Sequence, residues 1–373
     1  MDLALTQGQE MLRRSAREFL EAECPTTLVR ELEVSDIGYS SELWGRMAGL
    51  GWLGLALPVE HGGEGGNLID QLVLAEEVGR ALLPSPLLTS SILCGQLILK
   101  AGNSSQLSGF LPNLAQGKTI MSLALSEASG DFNPGQVSAV ASPRDDGYAV
   151  SGAKTFVSYA VSADFFICVA RNGDSQGLTL ALIEANSPGV TVTPLKSIAN
   201  FPQAQVEFRD ATVPRENILG VAGSGGKSLL QALEWATLVQ CGEMVGRAQK
   251  ILEMVVDYSK ARIQFGRPIG TFQAIQHQCA DLRVAVDVAQ TLTYRAACSL
   301  IEGLPCSEEI AIAKAAADEV SRLSTVTGHG IYAGISYTVE HDMQLYSARN
   351  KLAEANLGNT VYHIDRIARL MGL

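Results

Sequence analysis

The spacing of apolar residues changes twice along this chain of 373 residues. Up to about residue 118, apolar positions recur every three or four residues in segments such as NLIDQLVLAEEVGRALL, which predicts amphipathic helices. The sequence PSP ends that helix, and the glycine-rich PVEHGGEGG predicts a turn. From about 119 to 221, short runs such as ADFFICVAR and LTLALIEA lie between turn sequences such as RDDG, which predicts β-strands. The chain therefore begins with a helical region that is followed by a β region.

Helical spacing returns from about residue 222 and lasts to the C-terminus. Three long segments begin at SLLQALEW, TFQAIQHQ and SEEIAIAK, and a last pair of helices is predicted between 341 and 371. Antiparallel helices of this kind pack as a four-helix bundle. The predicted fold class is α+β, with an N-terminal α-helical domain (1–118), a central β domain shaped as a β-barrel-like sandwich (119–221) and a C-terminal four-helix-bundle domain (222–373).

Composition narrows the class of protein. Hydrophobic residues make up 47% and charged residues 18% of the chain, which is typical of a soluble globular protein. The net charge of −11 argues against a nucleic-acid partner, because phosphate binding requires a basic surface. The seven cysteines are scattered without a CxxC pair, which favours free thiols in a reducing compartment. Without a signal-peptide pattern or an apolar run of about 20 residues, the sequence predicts a cytoplasmic protein with no membrane segment.

Several familiar motifs do not fit the sequence. The stretch GVAGSGGKS has Val221 where a phosphate-binding P-loop requires its first glycine. No GxGxxG follows a predicted strand, as a dinucleotide-binding unit requires, and there is no GxSxG for a hydrolase. The five histidines lack the spacing of metal ligands, so no metal is expected. The chemistry of this chain therefore has to come from another kind of site.

Five stretches resemble motifs of the flavin-dependent acyl-CoA dehydrogenases, in the family's order. They are GWLGLALPVEHGGEGG, SLALSEASGD, YAVSGAKTFVSYAVSAD, YSKARIQFGRPIGTFQAIQHQCADL and HGIYAGISYTVEHDMQLY. The resemblance covers essentially the whole chain. It implies FAD-dependent dehydrogenation of an acyl-CoA thioester, in which a carboxylate takes the α proton while the β hydrogen leaves as hydride to the flavin. It also implies that an electron-transfer flavoprotein reoxidises the FAD.

The resemblance also implies which residues contact FAD. The seven matching positions are Leu125, Ser126, Phe156, Ser158, Arg262, Phe265 and Gly334. Phe156 is expected against the isoalloxazine ring and Ser158 near flavin N5, whereas a core aromatic is the competing interpretation of Phe156. The resemblance implies that Arg262 serves FAD in a neighbouring subunit, and a planar guanidinium suits this role because it can donate two bonds to a phosphate. A surface ion pair is the alternative.

The catalytic base is missing from both places where the family usually keeps it. The C-terminal position aligns with Leu357, and the position on the first bundle helix aligns with Ala236. Glu243 follows Ala236 by seven residues, which returns to within roughly 20° of the same helix face. Glu243 is therefore the candidate base, with a pKa raised by an apolar pocket. The alternatives are a salt bridge to Arg247, a base at Glu234, or a subunit without a base.

Other departures from the family pattern bear on assembly. SEASGDFNP is altered from the family's TEPGSGSD, in the loop that cradles FAD and the thioester. The whole pattern resembles a bacterial subgroup that acts on branched or steroid-derived acyl-CoAs and assembles as a homotetramer or as an α2β2 heterotetramer with a related subunit. The alternative function is a non-catalytic structural subunit that completes the flavin site of its partner. A third hypothesis is a flavin oxidase or nitroalkane-type enzyme on the same fold.

Overall fold

The computed structural model describes residues 4–128, 132, 134–173, 177–197 and 199–373. Within them the order of elements is helices, then strands, then helices, which confirms the predicted fold class. In the described part of the chain, no helix is both long enough and apolar enough to cross a membrane.

Six α-helices precede the first strand in the described part of the chain. Three of them begin at capping boxes, in which Thr6, Asn67 or Asn103 caps the helix and a polar side chain three residues later bonds back to the cap. Each box therefore satisfies amide groups that the first helical turn leaves without a partner. The helices are α1 (Gln7–Glu23), α2 (Thr26–Glu33), α3 (Ser41–Gly49), α4 (Leu68–Ala81), α5 (Gly95–Ala101) and α6 (Ser104–Ala115).

The β region forms one sheet of eight strands among the described residues. Its order is β6-β7-β3-β2-β4-β5-β8, and β1 pairs in parallel with β4. The order places β7 and β4 three strand spacings apart, about 14 Å in a flat sheet. The rings of Phe208 on β7 and Phe166 on β4 nevertheless lie 6.1 Å apart, so the sheet curls over its own core. The strands are β1 (Met121–Ala124), β2 (Val140–Arg144), β3 (Gly147–Ser158), β4 (Phe165–Asn172), β5 (Leu178–Glu184), β6 (Val190–Leu195), β7 (Gln203–Pro214) and β8 (Ile218–Leu219).

The C-terminal region contains three long helices and a last pair of shorter ones. The break between that pair falls at Leu357 and Gly358, whose φ angles of 55° and 88° are both left-handed. Asn359 then caps the final helix by accepting a bond from the amide of Tyr362 at 2.9 Å. The elements are α7 (Gly226–Ala261), β9 (Ile263–Gln264), β10 (Arg267–Pro268), α8 (Gln273–Ile301), α9 (Ser307–Tyr332), α10 (Met343–Ala355) and α11 (Thr360–Leu370).

The chain divides into two compact units. The first comprises Met1–Val29, Asn67–Leu83 and Thr237–Leu373, so it joins α1 and α4 to the C-terminal helices. The second comprises Arg30–Gly66 and Pro84–Ala236, and it contains the sheet. The domain limits read from the sequence, at 118/119 and 221/222, stay predictions.

Helices α4 and α7 of the first unit touch backbone to backbone. A Cβ built on Gly79 would lie 2.0 Å from the carbonyl oxygen of Glu243, and one built on Gly246 would lie 1.9 Å from that of Glu76. Only glycine at both positions permits so close a crossing. The crossing therefore fixes the part of α7 that carries Glu243.

Candidate active site

A buried lysine holds the segment that follows β1. Lys154 lies fully buried on β3, and its Nζ donates to the carbonyl of Leu125 at 3.1 Å and to Glu127 Oε1 at 2.8 Å. The amide of Thr155 donates to the carbonyl of Ser126 at 2.8 Å. These three bonds tie all three residues of the segment 125–127 to β3, so two of the predicted flavin contacts have a fixed backbone.

Glu127 extends the tie to the beginning of β2. Its carboxylate accepts bonds from the amide of Ser138 at 2.8 Å and the amide of Ala139 at 2.9 Å, and from the Ser138 hydroxyl. Burial raises the pKa of this carboxyl, but the bonds from Lys154, Ser138 and Ala139 together outweigh burial and hold the pKa at about 2. Glu127 is therefore ionised at neutral pH and pairs with the Lys154 ammonium.

Phe156 stands on the same strand in a strained conformation. Its φ of 55° is left-handed, and it lies where the pairing of β3 with β7 shifts register between Lys154 and Val157. A non-glycine residue in this region costs of order 1–3 kcal/mol and concentrates at functional sites. The ring is 57% exposed although its neighbour Val157 is buried, so it is not the core aromatic of the competing interpretation.

Ser158 completes the predicted flavin contacts on β3. It is half-buried, and its carbonyl accepts a bond from the Ser122 hydroxyl of β1 at 2.8 Å. Tyr159 beyond it is buried and packs edge-on against Phe201 at 5.2 Å between ring centroids. The second unit thus brings Leu125, Ser126, Phe156 and Ser158 together on two tied segments.

Arg262 and Phe265 lie on a tight hairpin in the first unit. Gln264 pairs with Arg267, and the two residues between them, Phe265 and Gly266, have φ angles of 52° and 77°. Two positive φ angles in a two-residue loop define a type I′ turn. The turn leaves the Phe265 ring 91% exposed at the tip. Arg262 at the base is also exposed, and its side chain forms no hydrogen bond or ion pair with any described residue.

Gly334 is exposed in the turn that follows α9. A Cβ built there would meet no atom within 4 Å, so packing within the chain does not require glycine at this position.

The position where the family often has its C-terminal base lies in the buried turn 357–358. Leu357 is buried, and its carbonyl bonds His363 Nε2 at 3.0 Å. Lys314, fully buried on α9, donates to the carbonyl of Gly358 at 3.0 Å and to Asp318 Oδ1 at 2.6 Å. Ala236, at the other base position, is also fully buried. Neither position offers a proton acceptor to a substrate.

Glu243 forms an ion pair with Arg247. Its carboxylate is 18% exposed and lies 3.7 Å from Arg247 Nη1, one helical turn further along α7. Burial raises the pKa of Glu243, and the charges of Arg247 and Arg349 oppose that rise. Arg247 is buried, which lowers its pKa to about 10, and its Nε donates to Asn350 Oδ1 at 2.9 Å. The raised pKa of Glu243 fits a catalytic base, whereas its position beside the Arg247 guanidinium fits a counter-ion of that arginine.

The buried lysine–carboxylate pairs were not among the predicted site residues. One signal was present in the sequence: a lysine inside the β-run GYAVSGAKTFVS, where apolar residues face the core. The partner of this lysine could not be predicted from the local sequence, because Glu127 lies 27 residues earlier in the chain. Within the altered loop SEASGDFNP, residues 129–131 and 133 lie outside the described residues.

Comparison with known proteins identifies the family. The N-terminal domain of acyl-CoA dehydrogenases matches residues 6–118, the middle domain 122–211 and the C-terminal domain 223–372. Acryloyl-CoA reductase (NADH) of Anaerotignum propionicum is 30% identical over 99% of this chain and 95% of its own.

Two solved structures of related assemblies are similar over nearly the whole chain. A chain of the ChsE4–ChsE5 complex from Mycobacterium tuberculosis is 26% identical, with a TM-score of 0.92 over 100% of this chain and 99% of that chain. A chain of a variant Tcur3481–Tcur3483 steroid ACAD is 27% identical, with a TM-score of 0.89 over 98% of both chains. With all three family domains matched in order, this chain belongs to the acyl-CoA dehydrogenase family.

Proposed function

We propose that this chain takes part in the FAD-dependent α,β-dehydrogenation of an acyl-CoA thioester, with an electron-transfer flavoprotein as the electron acceptor. The observation that carries the proposal is Phe156, an exposed aromatic held in a strained backbone beside the tied segment 125–127. The strained backbone costs free energy, and the exposed ring is left without packing in the chain itself. A flat ligand that stacks on the ring would give this conformation a purpose.

The described residues fit FAD in both units. In the second unit, the Phe156 ring offers a stacking surface, and the backbone of Leu125 and Ser126 offers fixed polar groups for the flavin ring. In the first unit, Arg262 offers the FAD of a neighbouring subunit a guanidinium that has no partner among the described residues, as a diphosphate contact requires. When bound, FAD supplies the acceptor for the hydride that leaves the β carbon.

The source of the base divides this proposal into two versions. In the first, the Glu243 carboxylate takes the α proton, helped by the burial that raises its pKa. In the second, Glu243 neutralises Arg247, and a related subunit supplies the base. The 3.7 Å separation from a buried guanidinium and the glycine-locked crossing at Gly79 support the second version. This chain is then a subunit that completes a flavin site, which is the alternative function.

The names of two similar structures support a proposal for the partner and the substrate of this chain. The ChsE4–ChsE5 complex joins two different chains, and the other similar structure is named a steroid ACAD. We therefore propose an α2β2 assembly with a related acyl-CoA dehydrogenase chain, and a bulky branched or steroid side-chain acyl-CoA as the substrate. A homotetramer is the alternative assembly.

The test is the absorption spectrum of the purified protein, alone and with the related chain. A flavin spectrum in either state, bleached by an acyl-CoA thioester in the absence of air, is the expected result. A colourless protein in both states would sink the proposal. Bleaching in air with stoichiometric peroxide would instead identify an oxidase.

A further inference from the structure

The bonds of Lys154 and Glu127 connect the segment after β1 with β3 and with the residues before β2. Lys154 has no water-exposed surface, and burying an ammonium costs several kcal/mol before its partners are counted. A strand position that served packing alone would carry an apolar side chain of similar length. The ammonium instead bonds two residues of one short segment, the carbonyl of Leu125 and the carboxylate of Glu127.

The bonds of Lys154 leave the segment 125–127 little freedom. Its first residue is held by Lys154 Nζ, its second by the amide of Thr155, and its third by Lys154 and the amides of Ser138 and Ala139. Every residue of the segment therefore has at least one bond to a neighbouring strand or to the chain entering it. Such a segment cannot shift without breaking a charge-assisted bond.

Phe156 lies next to the same lysine along β3. It follows Lys154 by two residues, and the register shift that carries it is bounded by Lys154 and Val157. Strain of this kind persists only where the surroundings over-determine the backbone. Lys154 and Val157 are both buried, so they hold the strained residue between two fixed points.

We propose that Lys154 is a positioning residue for the flavin: it fixes Leu125 and Ser126 relative to Phe156 before the cofactor binds. This inference rests on the proposed function, because it assigns the tied segments to FAD. A preorganised site binds more tightly because less ordering has to accompany binding. Without the ammonium, the segment 125–127 and Phe156 have to be ordered by the flavin itself.

The test uses Lys154→Met, which keeps most of the unbranched side chain and removes its charge. We expect FAD to dissociate from the full-length protein, in the assembly that binds it, with a constant raised by about 10- to 100-fold, since bonds to charged groups of this kind are lost. In the FAD-free protein, the amide protons of Thr155 and Ala139 should exchange with solvent faster than in the wild type. An unchanged dissociation constant, or unchanged exchange at both amides, would overturn the inference.

The matched control is Lys314→Met, because Lys314 is equally buried and also pairs with a carboxylate, but in the first unit. It should destabilise the protein while the folded fraction keeps its affinity for FAD. An equal loss of affinity in the control would show that Lys154→Met acts only through stability. If Lys154→Met does not fold, Lys154→Met combined with Glu127→Gln removes both charges and is measured in the same way.

The failure of this inference can be told apart from the failure of the proposed function. If the wild-type protein binds no FAD alone or with its related chain, the proposed function fails. Amide exchange at Thr155 and Ala139 still decides whether Lys154 orders the segment 125–127. If the wild type binds FAD and Lys154→Met binds it equally well, only the positioning role fails.

Discussion

Lys154 on β3 and Lys314 on α9 both form buried ion pairs, but they hold different kinds of segment. Both ammonium groups are fully buried, and each donates to one carboxylate and to backbone carbonyls, one for Lys154 and two for Lys314. Lys154 fixes a segment whose neighbour Phe156 is strained and exposed, whereas Lys314 fixes the turn 357–358, which is buried. A buried ion pair therefore does not mark a functional site by itself, and the strained, exposed Phe156 beside the Lys154 pair is the informative observation.

The largest effect is expected at Lys314. Replacing it with Met leaves Asp318 buried without its cation and removes the bond to the Gly358 carbonyl, which should lower the free energy of unfolding by about 3–5 kcal/mol. Urea denaturation measures this loss. Because the turn 357–358 carries no proton acceptor, flavin reduction per bound FAD should stay at the wild-type rate. A variant that folds stably but reduces its flavin slowly would contradict a purely structural role of the turn.

Acid should weaken the ion pair between Lys154 and Glu127, because it protonates the Glu127 carboxylate. The pKa of Glu127 is about 2 in the folded state, below its ordinary value of 4.5, so its contribution to stability is present above about pH 4.5 and is lost as pH falls towards 2. At neutral pH Glu127→Gln should therefore be less stable by about 1–3 kcal/mol, since bonds to a charged group are lost. The gap should close as the pH is lowered.

Urea titrations at a series of pH values measure that gap. Glu207→Gln is the control, because Glu207 pairs with Arg209 on the protein surface and should show little difference. A gap that stays constant from pH 7 to pH 3 would contradict the assignment of the Glu127 carboxylate as the ionised partner of Lys154.

Arg262 tests whether the first unit also contributes to FAD binding. Replacing Arg262 with Ala should weaken FAD retention by about 1.5–3 kcal/mol, since a charge-assisted phosphate contact is removed. Arg267→Ala on the same hairpin is a matched control, because that guanidinium lies 4.2 Å from the Phe272 ring centre and so has a partner within the chain. Equal flavin contents in both variants and the wild type would remove Arg262 from the site.

The sequence predicted elements better than it predicted contacts between them. Helix and strand order follows from the local spacing of apolar residues, which each segment displays by itself. The crossing of α4 and α7 depends instead on Gly79 and Gly246, and only the folded backbone shows that these two glycines lie at one crossing. The exposed Phe156 and Phe265 were identified through family motifs, but their left-handed backbones were not, because aromatic residues rarely adopt that conformation.

The smallest effect is expected at Glu243, and it decides where the base is. Glu243→Gln keeps the shape of the side chain but removes the proton acceptor and the charge beside Arg247. As the counter-ion of a buried guanidinium at 3.7 Å, Glu243 should contribute about 1–2 kcal/mol of stability, and flavin reduction by acyl-CoA should stay within about threefold of the wild type.

A base at Glu243 would give a different result, because losing general base catalysis slows the reaction by about 10²–10⁴-fold. The experiment needs a substrate, which a screen of branched and steroid side-chain thioesters for flavin bleaching can supply. Glu234→Gln, on the same helix, tests the other carboxylate considered as a base. If only Glu243→Gln slows reduction by at least 10²-fold while FAD content is unchanged, this chain carries its own base. The first unit would then contain an active residue as well as buried structural ion pairs.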